Sequence, residues 1–292
     1  MTDQANIGLF STLTSTGSRQ LLTTIAGATQ DGTVPGAAVS FVFCNRAPGE
    51  SEVTDESVAI IEGDYGIPVI RKSAVDFRRE QRLAAREAAK KGDDEPLWAW
   101  REEFYESFRD ELPRTDLDLL LGDMWIWSRS LCRDRRGVNL HPSLPSGPLG
   151  KMWFDVTWDL VASEQGVSGV MLHRVTPEVD MGPVVSFTAY SLHDDELDPL
   201  WATLPECVDE RVALISSQRA LKRDATHPLF HALRSKGLAR EMPLMIETVR
   251  AAADGRLALA HGEVVDDDGN VIKGGLDLTA EVEAAVAAKE RS

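Results

Sequence analysis

Residues 137–150 read GVNLHPSLPSGPLG and place an amide and an imidazole two positions apart, at Asn139 and His141. Both fall on a strand-like run that Pro142 stops. Strand side chains alternate between faces, so Asn139 and His141 point the same way. Strands of an open α/β sheet end at the crevice where ligands bind. Downstream, RVTPEVDMGPVV at 174–185 carries Asp180 in a loop bounded by glycine and proline. An amide donor, an imidazole and a carboxylate suit a site that stabilises an oxyanion and moves protons without a covalent step. Taken singly, Asn139 and His141 read as strand-end caps and Asp180 as a turn residue. The two clusters in this order favour chemistry.

The elements that must position these residues read as an alternating α/β pattern. Strands are predicted at 6–10, 36–45 and 67–71, with helices from about Gly17 and over 51–66 between them. The charged run 76–95 and the aromatic-bearing run 96–112 predict two more helices. Trp98, Trp100, Phe104 and Phe108 are expected to pack the inserted segment onto the domain. Strands follow at 117–127 and 137–140, a helix at 152–164, and two strand-like runs flanking the Asp180 loop. Residues 199–236 and 240–254 read as helical. A hairpin with its turn at Asp268-Gly269 and a frayed Ala/Glu-rich end close the chain. β-α-β-α-β alternation is the signature of a parallel sheet wound with crossover helices. The expected fold is therefore α/β: a Rossmann-like, mostly parallel sheet flanked by helices. One domain is expected over 1–260, with helical insertions near 76–112 and 195–237, and a C-terminal hairpin and tail over 261–292.

The bulk numbers bound the function. The chain has 292 residues, of which 43% are hydrophobic, enough for a full core. A net charge of −16 argues against a nucleic acid or an anionic membrane surface as partner. No apolar run approaches the ~20 residues of a membrane span. Three cysteines lie far apart without a CxxC pair, and the N-terminus lacks a secretory pattern, so a cytoplasmic protein is expected. Cys44 ends a buried strand and reads as an inert core residue. The remaining histidines, His173, His193, His227, His231 and His261, show no metal-ligand spacing, and no metal is expected.

Five stretches together resemble the folate-dependent formyltransferases, most closely the phosphoribosylglycinamide formyltransferases. They are TSTGSRQLL at 14–22, FVFCNRA at 41–47, NLHPSLP at 139–145, VTPEVDMGPVV at 175–185 and REMPLMIETVRAAADGRL at 240–257. The Pro in HPS is similar to the glycinamide-type branch and differs from the tRNA-formylating branch. The resemblance implies 10-formyltetrahydrofolate as donor co-substrate and a small primary amine, phosphorylated, as acceptor. It implies Asn139, His141 and Asp180 as the catalytic trio. Met124, Trp125, Ile126, Thr176, Glu178 and Val179 are implied in the folate pocket, and Gly17, Ser18, Arg19 and Glu241 at the acceptor.

Residue chemistry agrees in part with this and in part offers plainer readings. A Gly-Ser turn before a helix presents N–H groups to a phosphate, and equally serves as an ordinary helix cap. Arg19 stands where the family has Asn; an Arg can hold a phosphate bidentately or be a solvated helix residue. Trp125 stands where the family has Arg, and Leu238 where its last helix has an acceptor-contacting Glu, with Glu241 nearby. The donor half thus matches better than the acceptor half. Alternative acceptors are an amino sugar nucleotide or an amino acid. Water as acceptor would make the chain a formyltetrahydrofolate deformylase; that branch carries a further N-terminal domain, and a first strand at residue 6 counts against it. A non-catalytic folate-binding protein is the third reading. Oligomeric state is open, with a homodimer among the options.

Overall fold

The structure, a computed structural model, describes residues 4–122, 126–260 and 262–291. In chain order its first elements are β1 (Ala5–Ser11), α1 (Thr16–Gln30), β2 (Ala37–Cys44), α2 (Glu52–Tyr65), β3 (Val69–Arg71), α3 (Arg79–Ala89) and α4 (Glu95–Glu106). β4 (Leu117–Leu120), α5 (Arg129–Asp134), β5 (Gly137–His141), α6 (Trp153–Ala162), β6 (Val167–Arg174) and β7 (Val184–Ser191) follow. Then come α7 (Asp198–Trp201), α8 (Val208–Ala220), α9 (Pro228–Ala253), β8 (Ala258–Ala260), β9 (Glu263–Val265), β10 (Leu276–Asp277) and α10 (Thr279–Glu290). One eight-stranded sheet has the order β10-β7-β6-β5-β4-β1-β2-β3. β1 pairs in parallel with β2 and β4, β2 with β3, and β4 with β5, whereas β6 and β7 are antiparallel. This is the mostly parallel, helix-flanked sheet expected from the alternation. All four residues of β4 are buried, as befits a central parallel strand covered on both faces.

Two compact units make up the chain. The first comprises residues 1–139, 174–182 and 249–272. Its parallel strands carry an aromatic core to which the 76–112 insertion contributes Trp100, Phe104, Tyr105 and Phe108, packed with Phe10, Phe41, Phe43 and Trp127. Phe43 stacks on Phe108 with ring centroids 4.4 Å apart. Trp98 is half-buried and links the inserted helix to α5, lying between the Arg101 and Arg129 guanidinium groups at 4.5 and 4.7 Å.

A buried ion pair ties β4 to the start of β5. Asp118 is fully buried and Arg135 is 9% exposed. Arg135 Nε and Nη2 donate to the two Asp118 carboxylate oxygens at 2.9 and 2.8 Å, and the guanidinium also donates to Pro113 O and Thr115 Oγ1. Gly8 on β1 makes the room: a Cβ there would lie 2.2 Å from Asp118 Oδ1.

The second unit comprises residues 140–173, 183–248 and 273–292. β6 and β7 form its antiparallel pair, and β10 adds to β7 in parallel. Trp158 of α6 stacks on Phe230 of α9 with centroids 5.2 Å apart. Four local expectations differ from the structure. The strand expected over 117–127 ends at Leu120, because Gly122 at φ 64° turns the chain and Ser128 then caps α5. The expected helix break near 237 is absent, and α9 runs unbroken past Gly237 and Pro243. Gly237 serves close approach instead, since a Cβ there would lie 2.9 Å from Tyr190 Oη. The charged stretch before residue 79 is irregular rather than helical. The tail is a docked helix rather than a frayed end: α10 buries Val282 and Val286, and Arg240 pairs with Glu283. The turn expected at Asp268-Gly269 is present, closed by Asp266 and Asn270.

Asp118→Asn leaves the Arg135 charge buried without its counter-charge. Removing one partner of a buried pair costs about 3–5 kcal/mol. Urea denaturation is expected to show a loss of that size with an unchanged m-value; a loss below about 1 kcal/mol would assign the pair a surface-like role.

Candidate functional site

β5 brings its two polar side chains to one face by strand alternation alone. Asn139 is half-buried, and its backbone is in register with Leu120 of β4. His141, the last residue of the strand, is 2% exposed. Its Nε2 lies 2.7 Å from Pro148 O. The strand is set at its other end by Gly137, where a Cβ would come within 2.4 Å of the Trp127 ring. That contact also places the 126–128 segment, in which Ile126 is exposed.

Asp180 sits in a loop closed on its own backbone, within the first unit. Val175 N–H donates to Gly137 O at 2.8 Å, so the loop starts beside β5. Thr176 Oγ1 donates to Glu178 O at 2.8 Å, and Met181 N–H to the same carbonyl at 3.3 Å. Asp180 adopts φ 59°, a left-handed conformation uncommon outside glycine and enriched for Asp and Asn. Gly182 completes the closure, because a Cβ there would lie 1.9 Å from Arg174 O. Asp180 is 9% exposed, while its neighbours Val179 and Met181 are 52% and 63% exposed. The loop therefore holds a carboxylate inward and presents apolar side chains outward. Arg174 Nη2 donates to Cys132 O at 3.4 Å, fastening the loop to α5.

The α1 N-terminus uses the residues expected at an acceptor phosphate in a more local way. Ser15 is the N-cap, and Ser18 forms a reciprocal capping box with it. Ser18 Oγ donates to Ser15 O at 2.8 Å and is buried; Gly17 is exposed in the first helical turn. Arg19 faces Glu56 at 3.8 Å. Gly122 packs here, since a Cβ on it would lie 2.8 Å from Ser18 Cβ. Backbone N–H groups at Gly17 and Thr16 are those a helix start presents to an anion. In the second unit, Glu241 is paired with Arg234, and Leu238 is 48% exposed. Met124 and Trp125 lie outside the described residues.

Sequence reasoning missed the supporting residues. Gly137, Gly182, Ser143, Pro148 and Arg174 all hold the polar trio's backbone or ring. The glycines flanking each cluster were the available signal. An open cavity of about 240 Å³ lies between the 144–148 turn, the end of α6 at Leu160 and Ser163, and the start of β6 at Val167 and Ser168. Its lining carries no charged side chain and none of the trio. Among the described residues no group of three or more His, Cys, Asp or Glu is arranged to hold a metal ion. No helix among them is long and apolar enough to cross a membrane.

Two predictions follow from the loop and its anchor. Gly182→Ala must displace Arg174 O, so hydrogen exchange at the Val175 amide is expected to speed up by about tenfold or more, against an unchanged rate at the β1 amides. Burial, and then the Glu102 charge, push the Cys132 thiol up to about 12. Cys44 is also buried, whereas Cys207 is exposed and its thiol is held below the ordinary value by backbone N–H groups of Glu210 and Asp209. Iodoacetamide at neutral pH is expected to label Cys207 alone in the native protein, as read by mass spectrometry; labelling of Cys132 would mean that α5 opens.

No family model and no curated protein matches the sequence. Solved structures do match its fold. A phosphoribosylglycinamide formyltransferase from Coxiella burnetii superposes with a TM-score of 0.58 at 18% identity, over 94% of this chain and 98% of that one. A glycinamide ribonucleotide transformylase from Symbiobacterium toebii gives 0.51 at 19%, over 90% and 94%. A phosphoribosylglycinamide formyltransferase from Anaplasma phagocytophilum gives 0.51 at 18%, over 94% and 98%. The chain has the formyltransferase fold.

Proposed function

We propose that this chain, on its formyltransferase fold, transfers a formyl group from 10-formyltetrahydrofolate to a primary amine, with glycinamide ribonucleotide the favoured acceptor. The observation that carries the reading is the pair Asn139 and His141 on one face of β5; Asp180 is buried in its own closed loop. Fold likeness alone does not assign chemistry; the types and spacing of these residues support the reading. The exposed Val179 and Met181 side chains offer apolar surface to a flat heteroaromatic ring. The N–H groups at the start of α1 suit a phosphate on the acceptor.

In this mechanism the amine attacks the formyl carbon and a new C–N bond forms. The carbonyl electrons move onto oxygen, and Asn139 and a protonated His141 donate hydrogen bonds to it. Losing one such donor costs about 2.7–4 kcal/mol of barrier. Asp180 supplies the counter-charge and holds a water that passes the amine proton to the departing folate nitrogen, whose bond to the formyl carbon breaks. Two substrates held side by side react as one, a second large contribution.

Tetrahydrofolate release from 10-formyltetrahydrofolate, followed by absorbance with and without glycinamide ribonucleotide, tests the proposal. Release that requires the ribonucleotide is expected. Release with water alone would make the chain a deformylase. Folate binding without release, also with amino sugar nucleotides and amino acids, would make it a binding protein. Asn139→Ala and Asp180→Asn are each expected to slow turnover by about two orders of magnitude or more while still binding folate. Near-normal turnover in either variant would remove that residue from the mechanism.

A further inference from the structure

α3 and the chain leading into it concentrate positive charge in an acidic protein. Residues 71–91 hold eight Lys and Arg against three Asp and Glu, while the whole chain carries a net charge of −16. Four of these cations are spent on carboxylates: Arg71 on Asp55, Lys72 on Glu111, Arg78 on Glu103 and Lys90 on Glu87. Arg82 and Arg86 are not. Among the described residues neither guanidinium makes an ion pair or a hydrogen bond. They stand four residues apart, on one face of α3. Arg82 is half-buried, its guanidinium 5.5 Å from the Trp100 ring centroid, and Trp100 is fixed by Nε1–H donating to Phe77 O at 3.1 Å. Arg46, just past the C-terminal end of β2, is held through its backbone: Arg71 Nε donates to Arg46 O at 3.0 Å and Arg71 Nη2 to Ala47 O at 2.9 Å. Its one ion-pair partner among the described residues, Glu50, is 4.0 Å away, and the other oxygen of that carboxylate accepts from Ala47 N–H. Burial, and then the charges of Arg86 and Arg46, hold the Arg82 guanidinium below its ordinary value, so three like charges converge here. Beside Arg46 in the chain, Asn45 is 5% exposed and its Oδ1 meets no donor among the described residues, a second polar group whose bonding the protein itself leaves incomplete.

We propose that Arg46, Arg82 and Arg86 form a binding site for a small oxyanion, a phosphate or carboxylate group, at the C-terminal end of β2. All three belong to the first unit, and none has a part in formyl transfer. Like charges that are brought together and partly desolvated cost free energy. A bound oxyanion turns that cost into attraction, because guanidinium forks match phosphate and carboxylate oxygens bidentately. The Trp100 ring backs Arg82 with a surface of low dielectric, where a charge-assisted bond is stronger than in water. Arg86 is exposed and leaves the cluster open to solvent on its side. In a protein whose overall field repels anions, only such a local convergence can hold one.

Isothermal titration calorimetry of the full chain with inorganic phosphate and, separately, with citrate tests the site. At least one of the two is expected to bind, with an affinity that falls as sodium chloride is raised. Tighter binding of phosphate would assign a phosphorylated ligand, and tighter binding of citrate a carboxylate-bearing one. Arg82→Gln and Arg86→Gln are each expected to weaken the binding by about tenfold or more. Arg109→Gln removes the same charge from an exposed pair with Glu106 and is expected to leave the affinity within about twofold. Arg86→Gln keeps the test open if Arg82→Gln does not fold, because Arg86 is exposed. Binding of neither anion by the unsubstituted protein would overturn the inference. So would binding that Arg82→Gln and Arg86→Gln both retain, since the anion would then sit elsewhere, as at the start of α1. Binding is read without turnover, so failure of this inference and failure of the transferase reading are distinguishable.

Discussion

Register in the middle of the sheet depends on the buried Asp118–Arg135 pair. Asp118 lies on a fully buried strand and pairs bidentately with an arginine two residues before β5. Such a pair adds little over an apolar replacement, because desolvation consumes most of the attraction. Its consequence is specificity. Sliding β5 by one residue against β4 would separate the two charges in a dry interior and also flip Asn139 and His141 to the other face. The Arg135 guanidinium further lies 5.4 Å from the Phe41 ring centroid and 5.9 Å from that of Phe10, linking the same pair to the aromatic core.

Close backbone approach is the second constraint, and glycine meets it at each point that orders the candidate site. Gly8 admits the Asp118 carboxylate, Gly137 admits the Trp127 ring, and Gly182 closes the Asp180 loop on Arg174. The 76–112 insertion serves this arrangement through packing. Its Trp100, Phe104 and Phe108 complete the core around Trp127, and Glu102 of α4 accepts from the Ser130 amide of α5 at 3.1 Å. The loop that carries Asp180 is tied to that helix by Arg174. The insertion therefore supports the Asp180 loop through α5.

Much of this was legible in sequence because it is local. Continuous apolar runs made β1, β2 and β6 visible, and Ser51 and Gly66 bracket α2 as its N-cap and left-handed C-cap. The two-residue spacing of Asn139 and His141 on a strand decides their shared face with no tertiary information. The early end of β4 was not legible, since Met124, Ile126 and Trp127 extend the apolar run beyond the turn at Gly122. Nor was α10 legible as a docked helix: its alanine- and glutamate-rich composition hides two valines spaced to bury together.

What the amino-acid sequence determined by itself was periodicity, caps, the net negative charge, and which polar residues share a strand face. Tertiary structure alone decided the rest: that Asp118 has Arg135 as its partner, that Ser18 is spent in a helix cap, and that His141 Nε2 is committed to Pro148 O. Periodicity and caps arise from neighbours within a few residues and can be read along the chain. Partner choice for a buried polar group is set by where the folded backbone puts a donor or acceptor once water has been removed, and no local pattern encodes that position.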